Sequence, residues 1–295
     1  MIIFDYSQIG ISSMTPFFDD IRKGEDVENI ARHAILSKIK SVRNKFSNYG
    51  NVVIACDGRS YWRRDVFPHY KALRKVAREE SDIPWPEIHR CMDIVKEELK
   101  EYSPYKVIHH PKAEADDVMG ILVIHVANVR YVQVGLEMQE EPTMLVTWDG
   151  DMKQLLATPN VRMYSPMHDK FVKLETSAKE FLRRKIITGD SGDGVPNVFM
   201  PEDAIILKIR QKPCTEKRIA PLLEAANLVD GTDDEFVKSR IKMNEQLISF
   251  DKIPEWLVSE VIEEYDKPAN GNKMKFYQYL CKKKCNRLIE DIDKF

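Results

Sequence analysis

Four short apolar runs, MIIFD (1–5), NVVIACDG (51–58), YKVIHH (105–110) and TMLVTWDG (143–150), recur along the chain with helical patterns between them. Strands separated by helical segments pair most readily in parallel, with the helices laid over the faces of the sheet. The expected fold class is therefore α/β, a mostly parallel central sheet flanked by helices. Residues 27–46 carry Val27, Ala31, Ile35, Ile39, Val42 and Phe46 at steps of three and four, which predicts a helix facing the core. VRMYSPMHDKFVKLE (161–175) predicts a small hairpin turned at MHDK, and SAKEFLRRKIITG (177–189) a helix closed by Gly189. Beyond residue 178 the apolar spacing stays helical in AIILKI (204–209), IAPLLEAANLV (219–229) and EWLVSEVIEEY (255–265), with proline-containing breaks between. Two domains are expected, an α/β domain over 1–177 and a smaller all-helical domain over 178–295.

A chain of 295 residues that is 43% hydrophobic has enough apolar material for real cores. Its 45 Lys and Arg against 47 Asp and Glu give a net charge of −2, so any sign of a polyanionic partner must lie in how charge is distributed. The five cysteines form no CxxC pair, which argues against a disulfide framework or a zinc ribbon. No segment reaches the ~20 apolar residues of a membrane span, and the start has no secretory pattern. A cytoplasmic protein is expected.

Three of the four runs finish in aspartate: Asp5, Asp57, and the pair Asp149 and Asp151 around Gly150. The carboxyl edge of an open α/β sheet is where ligands bind. After YKVIHH comes PKAEADDVMGIL, which sets Glu114, Asp116 and Asp117 in the first turn of a helix at that same edge; Asp190 and Asp193 follow in GDSGDGVPN. Singly, such acids cap helices or complement helix dipoles. Together, nine carboxylates on one rim would repel one another unless cations sat among them. Mg²⁺, with Mn²⁺ as a substitute, suits an all-oxygen donor set, and two ions ~3.5–4 Å apart are the arrangement of two-metal phosphoryl transfer.

GRSYWRRDVFPHYKALRKVAREE (58–80) supplies Arg59, Arg63, Arg64, Lys71, Arg74, Lys75 and Arg78, interleaved with Tyr61, Trp62, Phe67 and Tyr70. Lys71, Arg74, Lys75 and Arg78 have the spacing of one helix face, fit to follow phosphates, while the aromatics could stack on unpaired bases. An acidic metal rim and a basic clamp would cancel in the total charge.

With these residues assembled, the chain resembles the flap endonuclease family of 5′ nucleases. FDYSQI, ACDGRSYWRRD, YKALRKVAREE, EADD, DGDMKQL, YSPMHDKFVK and GDSGDGVPN occur in the family's order at family-like spacings. The resemblance implies a PIN-like nuclease domain with a basic helical arch near 59–85, then a helical domain with a helix–turn–helix-type element for duplex DNA. It assigns Asp5, Asp57, Asp116 and Asp149 to a first metal and Asp151, Asp190 and Asp193 to a second, with Glu114 and Asp117 in support. Lys71 and Arg78 would steady the scissile phosphate, and Trp62 and Tyr70 would line the path of the 5′ strand. The pattern departs from the family's at Gly192, Gly194 and Asn197, and the glycine-rich hairpin usual downstream is missing.

The activity so implied is Mg²⁺-dependent 5′→3′ exonuclease and flap endonuclease cleavage of DNA and RNA–DNA hybrids, the ribonuclease H activity that removes lagging-strand primers. Expected partners are nucleic acid with a 5′ end or flap, a single-strand-binding protein and a sliding clamp, with LIEDIDKF (288–295) as a docking tail. The protein is expected to be a monomer. A PIN-type single-strand ribonuclease would explain the acids but not the basic arch; a non-catalytic DNA-binding module would not need an intact acid set. The insertion 130–142 is read as a surface elaboration.

Overall fold

The computed structural model describes every residue except 25, 128, 130, 135 and 136. In chain order the elements are β1 Ile2–Asp5, α1 Tyr6–Met14, α2 Phe18–Lys23, α3 Val27–Lys45, β2 Val52–Cys56, α4 Trp62–Val66, α5 Ala72–Glu79, α6 Trp85–Tyr102, β3 Lys106–His109 and α7 Ala115–Ile121. There follow β4 Tyr131–Val134, β5 Glu137–Glu140, β6 Thr143–Val146, β7 Val161–Ser165, β8 Lys170–Phe171, α8 Ala178–Thr188, α9 Glu216–Glu224, α10 Glu235–Ile248, α11 Glu255–Asp266, α12 Lys273–Lys282 and α13 Asn286–Ile289.

These elements form two compact units, one of Met1–Arg59, Asp82–Lys173 and Trp256–Phe295, the other of Ser60–Ser81 and Leu174–Glu255. Packing joins Trp256–Phe295 to the first of these units. Phe276, Tyr279, Leu280, Leu288 and Phe295 lie in the same core as Ile35 and Ile39 of α3 and Val95 and Leu99 of α6. Arg32 on α3, buried, grips Glu98 of α6 through Nε and Nη2 at 2.9 and 2.8 Å, and its Nε also reaches the Tyr279 hydroxyl at 2.8 Å. The 288–295 segment, expected as a docking tail, is likewise held down: the Phe295 ring packs edge-on against Phe276 at 5.0 Å.

In the first unit the sheet runs β3-β2-β1-β6-β7-β8, and every pair but the last is parallel. β1, β2 and β6 are buried along their whole length, as strands covered on both faces must be. The predicted hairpin is present, with Tyr164 opposite Phe171 and Ser165 opposite Lys170. Within the 130–142 insertion, β4 and β5 pair antiparallel as a separate two-stranded sheet, and residues 130, 135 and 136 lie outside the described residues.

In the second unit the Ser177 hydroxyl caps α8 by accepting from the Glu180 N–H at 3.1 Å. Gly189 ends that helix at φ +71°, and a Cβ there would lie 2.4 Å from the Val195 carbonyl oxygen, so only glycine fits. Ile186, Ile187, Val195, Val198, Ile219, Leu222, Val237 and Ile241 build the core, joined by Phe67 and Tyr70. AIILKI is not the helix its spacing predicts. The chain there forms successive turns, with Lys208 at φ +53°, Ala204 buried, and Leu207 and Ile209 exposed. One turn closes there, the Leu207 N–H donating to the Asp203 carbonyl at 2.9 Å, and the left-handed backbone at Lys208 ends it.

Candidate metal centre and nucleic-acid interface

Parallel register brings the acids of the first unit to one edge. Ile2 pairs with Val52 and with Met144, so β1, β2 and β6 end side by side, and Asp5, Asp57 and Asp149 all stand at or just beyond their carboxyl ends. Asp5 caps α1, its Oδ1 accepting from the Gln8 N–H at 3.0 Å, while its Oδ2 accepts from the Thr147 hydroxyl at 3.4 Å. Asp57 accepts from the Ser7 hydroxyl and, at 2.9 Å, from the Ala115 N–H. Asp149 accepts from the Asp151 N–H at 2.9 Å, which fixes the turn through Gly150. Glu114 and Asp117 are buried in a reciprocal capping box at the start of α7, with the Glu114 N–H donating to Asp117 at 2.9 Å; Asp116 lies between them in the same turn.

Crowding has an electrostatic consequence. Burial, and then the neighbouring charges of Asp57 and Asp149, push the Asp5 carboxyl up to about 7, against the opposing pull of the Gln8 N–H. An acid whose carboxyl is raised by burial and then by neighbouring acids belongs to a donor set short of positive charge. An all-carboxylate set of this kind fits a hard divalent cation better than a soft one.

In the second unit the acids are already matched by cations. Asp190 accepts from Lys185 at 2.6 Å and from the Gly192 and Asp193 N–H groups at 2.8 and 3.1 Å. Burial works to raise that carboxyl, but Lys185 and the two backbone donors outweigh it and hold the group below the usual range. Asp193 accepts from the Tyr70 hydroxyl at 2.9 Å, pairs with Arg74, and lies 3.5 Å from the Lys71 ammonium.

Residues 58–80 divide in two. Arg59, Arg64, Arg74, Lys75 and Arg78 are exposed, and α5 buries no side chain at all. Trp62, Arg63, Tyr70 and Lys71 are buried. Trp62 is 3% exposed; Arg63 stacks on it at 4.6 Å and donates to the Leu247 carbonyl at 2.7 Å. Lys71 also leaves the expected helical stripe: it precedes α5 at φ +55°, with its N–H bonded to the Asp193 carbonyl at 2.7 Å. The alternation of aromatic and basic residues places cations over the buried rings, Arg63 over Trp62 and Lys71 over Tyr70.

Sequence reasoning passed over Ser7, Gln8 and Thr147. Gln8 Oε1 accepts from the Thr147 hydroxyl at 3.0 Å and the Trp148 N–H at 2.8 Å, tying α1 to the end of β6. Their signal was position alone, within three residues of a carboxylate that ends a strand.

A central, mostly parallel sheet followed by helical segments is a fold shared with solved phage 5′ nucleases. A bacteriophage T5 flap endonuclease, solved as a pseudo-enzyme–product complex with DNA and metal ions, matches with a TM-score of 0.64 at 15% identity, over 90% of this chain and 99% of that one. A zinc-bound T5 5′-exonuclease matches with a TM-score of 0.58 at 16% identity, over 99% and 97%. The profile described as 5′-3′ exonuclease, N-terminal resolvase-like domain, matches residues 15–186, and that described as T4 RNase H, C terminal, matches 176–295. The chain belongs to the 5′-3′ exonuclease family and is a nuclease. It is 32% identical to ribonuclease H of Enterobacteria phage T4 over 99% of this chain and 95% of that protein. It is 27% identical to flap endonuclease Xni of Shewanella piezotolerans over 56% and 61%. No helix among the described residues is long and apolar enough to cross a membrane.

Proposed function

We propose that the protein is a Mg²⁺-dependent 5′→3′ exonuclease and flap endonuclease, acting on DNA and on RNA–DNA hybrids and removing the RNA primers of lagging-strand fragments. The observation that carries this reading is the row of Asp5, Asp57 and Asp149 at the ends of three adjacent strands, with Asp5 raised to about 7 by burial and by its acidic neighbours. Divalent cations held there would supply activation of the attacking water and neutralisation of charge at the phosphorus. Asp5, Asp57, Asp116, Asp149 and Asp151 would hold them, supported by Glu114 and Asp117. Ser7, Thr147 and the Ala115 N–H keep the carboxylates oriented before any ion arrives, so little reorganisation accompanies binding. Asp190 and Asp193 enter as further metal ligands, and Lys71 and Arg78 as contacts to the scissile phosphate, as the family resemblance implies. Exposed Arg59, Arg64, Arg74 and Lys75 would follow the backbone of the strand.

The test is cleavage of one labelled strand offered as a 5′ flap on duplex, as an RNA–DNA hybrid and as free single strand, each with Mg²⁺ and with chelator. Short 5′-phosphorylated products from the first two, abolished by chelator and by Asp151→Asn, are expected. Cutting of free RNA alone would replace this reading with a single-strand ribonuclease, and flap binding without cutting would leave a binding module.

A further inference from the structure

At the β3 end of the acidic edge stands an aromatic side chain with no part in holding ions. Trp256, near the start of α11, is 45% exposed. Its ring lies 6.1 Å from that of His110, tilted by 54°. His110 follows directly on β3, and the register pairs Cys56 with His109, so His110 stands beside Asp57 in the row of strand ends. Its imidazole is fixed at both nitrogens. The Lys112 N–H donates to Nδ1 at 3.2 Å, which leaves the proton on Nε2 to donate to Glu260 at 2.7 Å. Glu260 and Trp256 are four residues apart on α11, hence on one face of it.

The loop that carries His110 is in turn stitched to the Asp57 turn. The Gly58 N–H donates to the Ala113 carbonyl at 2.7 Å, and the Ala115 N–H to Asp57 Oδ1 at 2.9 Å. Backbones touch here: a Cβ on Gly58 would come within 2.4 Å of the His110 carbonyl oxygen. A continuous path of hydrogen bonds and ring contact therefore fixes the exposed indole relative to a carboxylate of the acidic edge.

From this geometry we infer that Trp256 is a substrate-positioning residue, its indole stacking on a nucleobase of the strand that lies along the acidic edge, with His110 and Glu260 setting the angle of the ring. The inference rests on the nucleic-acid substrate proposed above. Stacking needs only the π-face that every base has, so the contact would set how far the strand advances past Asp57 and not which sequence is cut. Trp256 holds no ion and moves no proton, so its loss should be felt in substrate binding more than in turnover.

Cleavage of a 5′-flap substrate with Mg²⁺ would be measured for the wild type, Trp256→Ala and Trp256→Phe, with a single abasic site moved one nucleotide at a time through the strand on both sides of the cut. For Trp256→Ala, KM should rise about tenfold or more while kcat stays within about twofold, and Trp256→Phe should recover most of the loss. At one position the abasic site should weaken the wild type by a similar factor and leave Trp256→Ala no weaker than before. An unchanged KM, or the same abasic profile in both proteins, would overturn the inference. So would a loss confined to kcat that phenylalanine does not rescue, which would mark a merely structural role. A wild type that cuts none of these substrates would instead refute the nuclease reading of this edge.

Discussion

Replacing Asp5 by asparagine should make the metal-free protein more stable at pH 8 and inactive at every pH. The folded carboxyl sits at about 7, against 3.8 for an unperturbed aspartate. The sign follows from linkage: with the folded value raised, the native state binds a proton that the unfolded chain has already released. The stability this contributes is fully present below pH 3.8 and is lost as pH rises through about 7. At about 1.36 kcal/mol per pH unit, the loss between pH 4 and pH 8 is roughly 4 kcal/mol, shared with Asp57 and Asp149 because their charges help cause it. Asparagine cannot ionise, and it caps a helix about as well as aspartate, so the Gln8 N–H keeps its acceptor. Asp5→Asn should therefore match the wild type near pH 4 and exceed it by about 2–4 kcal/mol at pH 8. Urea unfolding with chelator at pH 4, 5, 6, 7 and 8 measures this directly. Saturating Mg²⁺ should then close the gap by stabilising the wild type alone. A stability difference that stays flat with pH, or an Asp5→Asn protein less stable than the wild type at pH 8 in chelator, would refute the claim that burial and the neighbouring acids raise the Asp5 carboxyl.

Three further outcomes follow from the second unit. Trp62→Ala should cost about 3–5 kcal/mol in unfolding experiments, as a buried indole does, and should leave the salt dependence of flap binding in the surviving folded protein unchanged. Lys75→Ala should do the reverse, leaving the melting temperature alone and reducing the slope of log affinity against log salt by about one, read by fluorescence anisotropy on a flap in chelator. Lys185→Ala should cost about 1–2 kcal/mol at pH 7. Because Lys185 holds the Asp190 carboxyl low, that cost should be complete above the unperturbed aspartate value and fade as pH falls through the folded one, which denaturation at pH 3 to 7 would reveal.

The sheet was legible because its signal is local. A run such as VVIAC, short and rich in β-branched residues, favours a buried strand, and an aspartate at its end lands at the carboxyl edge whichever neighbour it pairs with in parallel. Strand order was not needed to gather Asp5, Asp57 and Asp149, only parallelism, and helical patterns between the runs supplied that. What the sequence left open was decided by partners far along the chain. Trp62 and Tyr70 stand beside many cations, and only the fold shows Arg63 spending its donor on the Leu247 carbonyl, 184 positions away, and Tyr70 its hydroxyl on Asp193. Helical spacing in AIILKI said nothing of the left-handed backbone at Lys208 that ends the turn, and the spacing in 255–295 said nothing of which core it would join. Arg32 decides that second question with a bidentate grip on Glu98 and a bond to the hydroxyl of Tyr279. Composition counts a charged residue as surface, whereas a guanidinium with every partner in place can sit in a core and bind distant segments together. The same logic separates the two sets of acids: Asp190 and Asp193 are matched by Lys185, Arg74 and Lys71 within their own unit, while Asp5 has chiefly other acids for neighbours. Charge that the fold leaves unbalanced, more than the number of acids, is what marks the first unit's edge as the place for a cation.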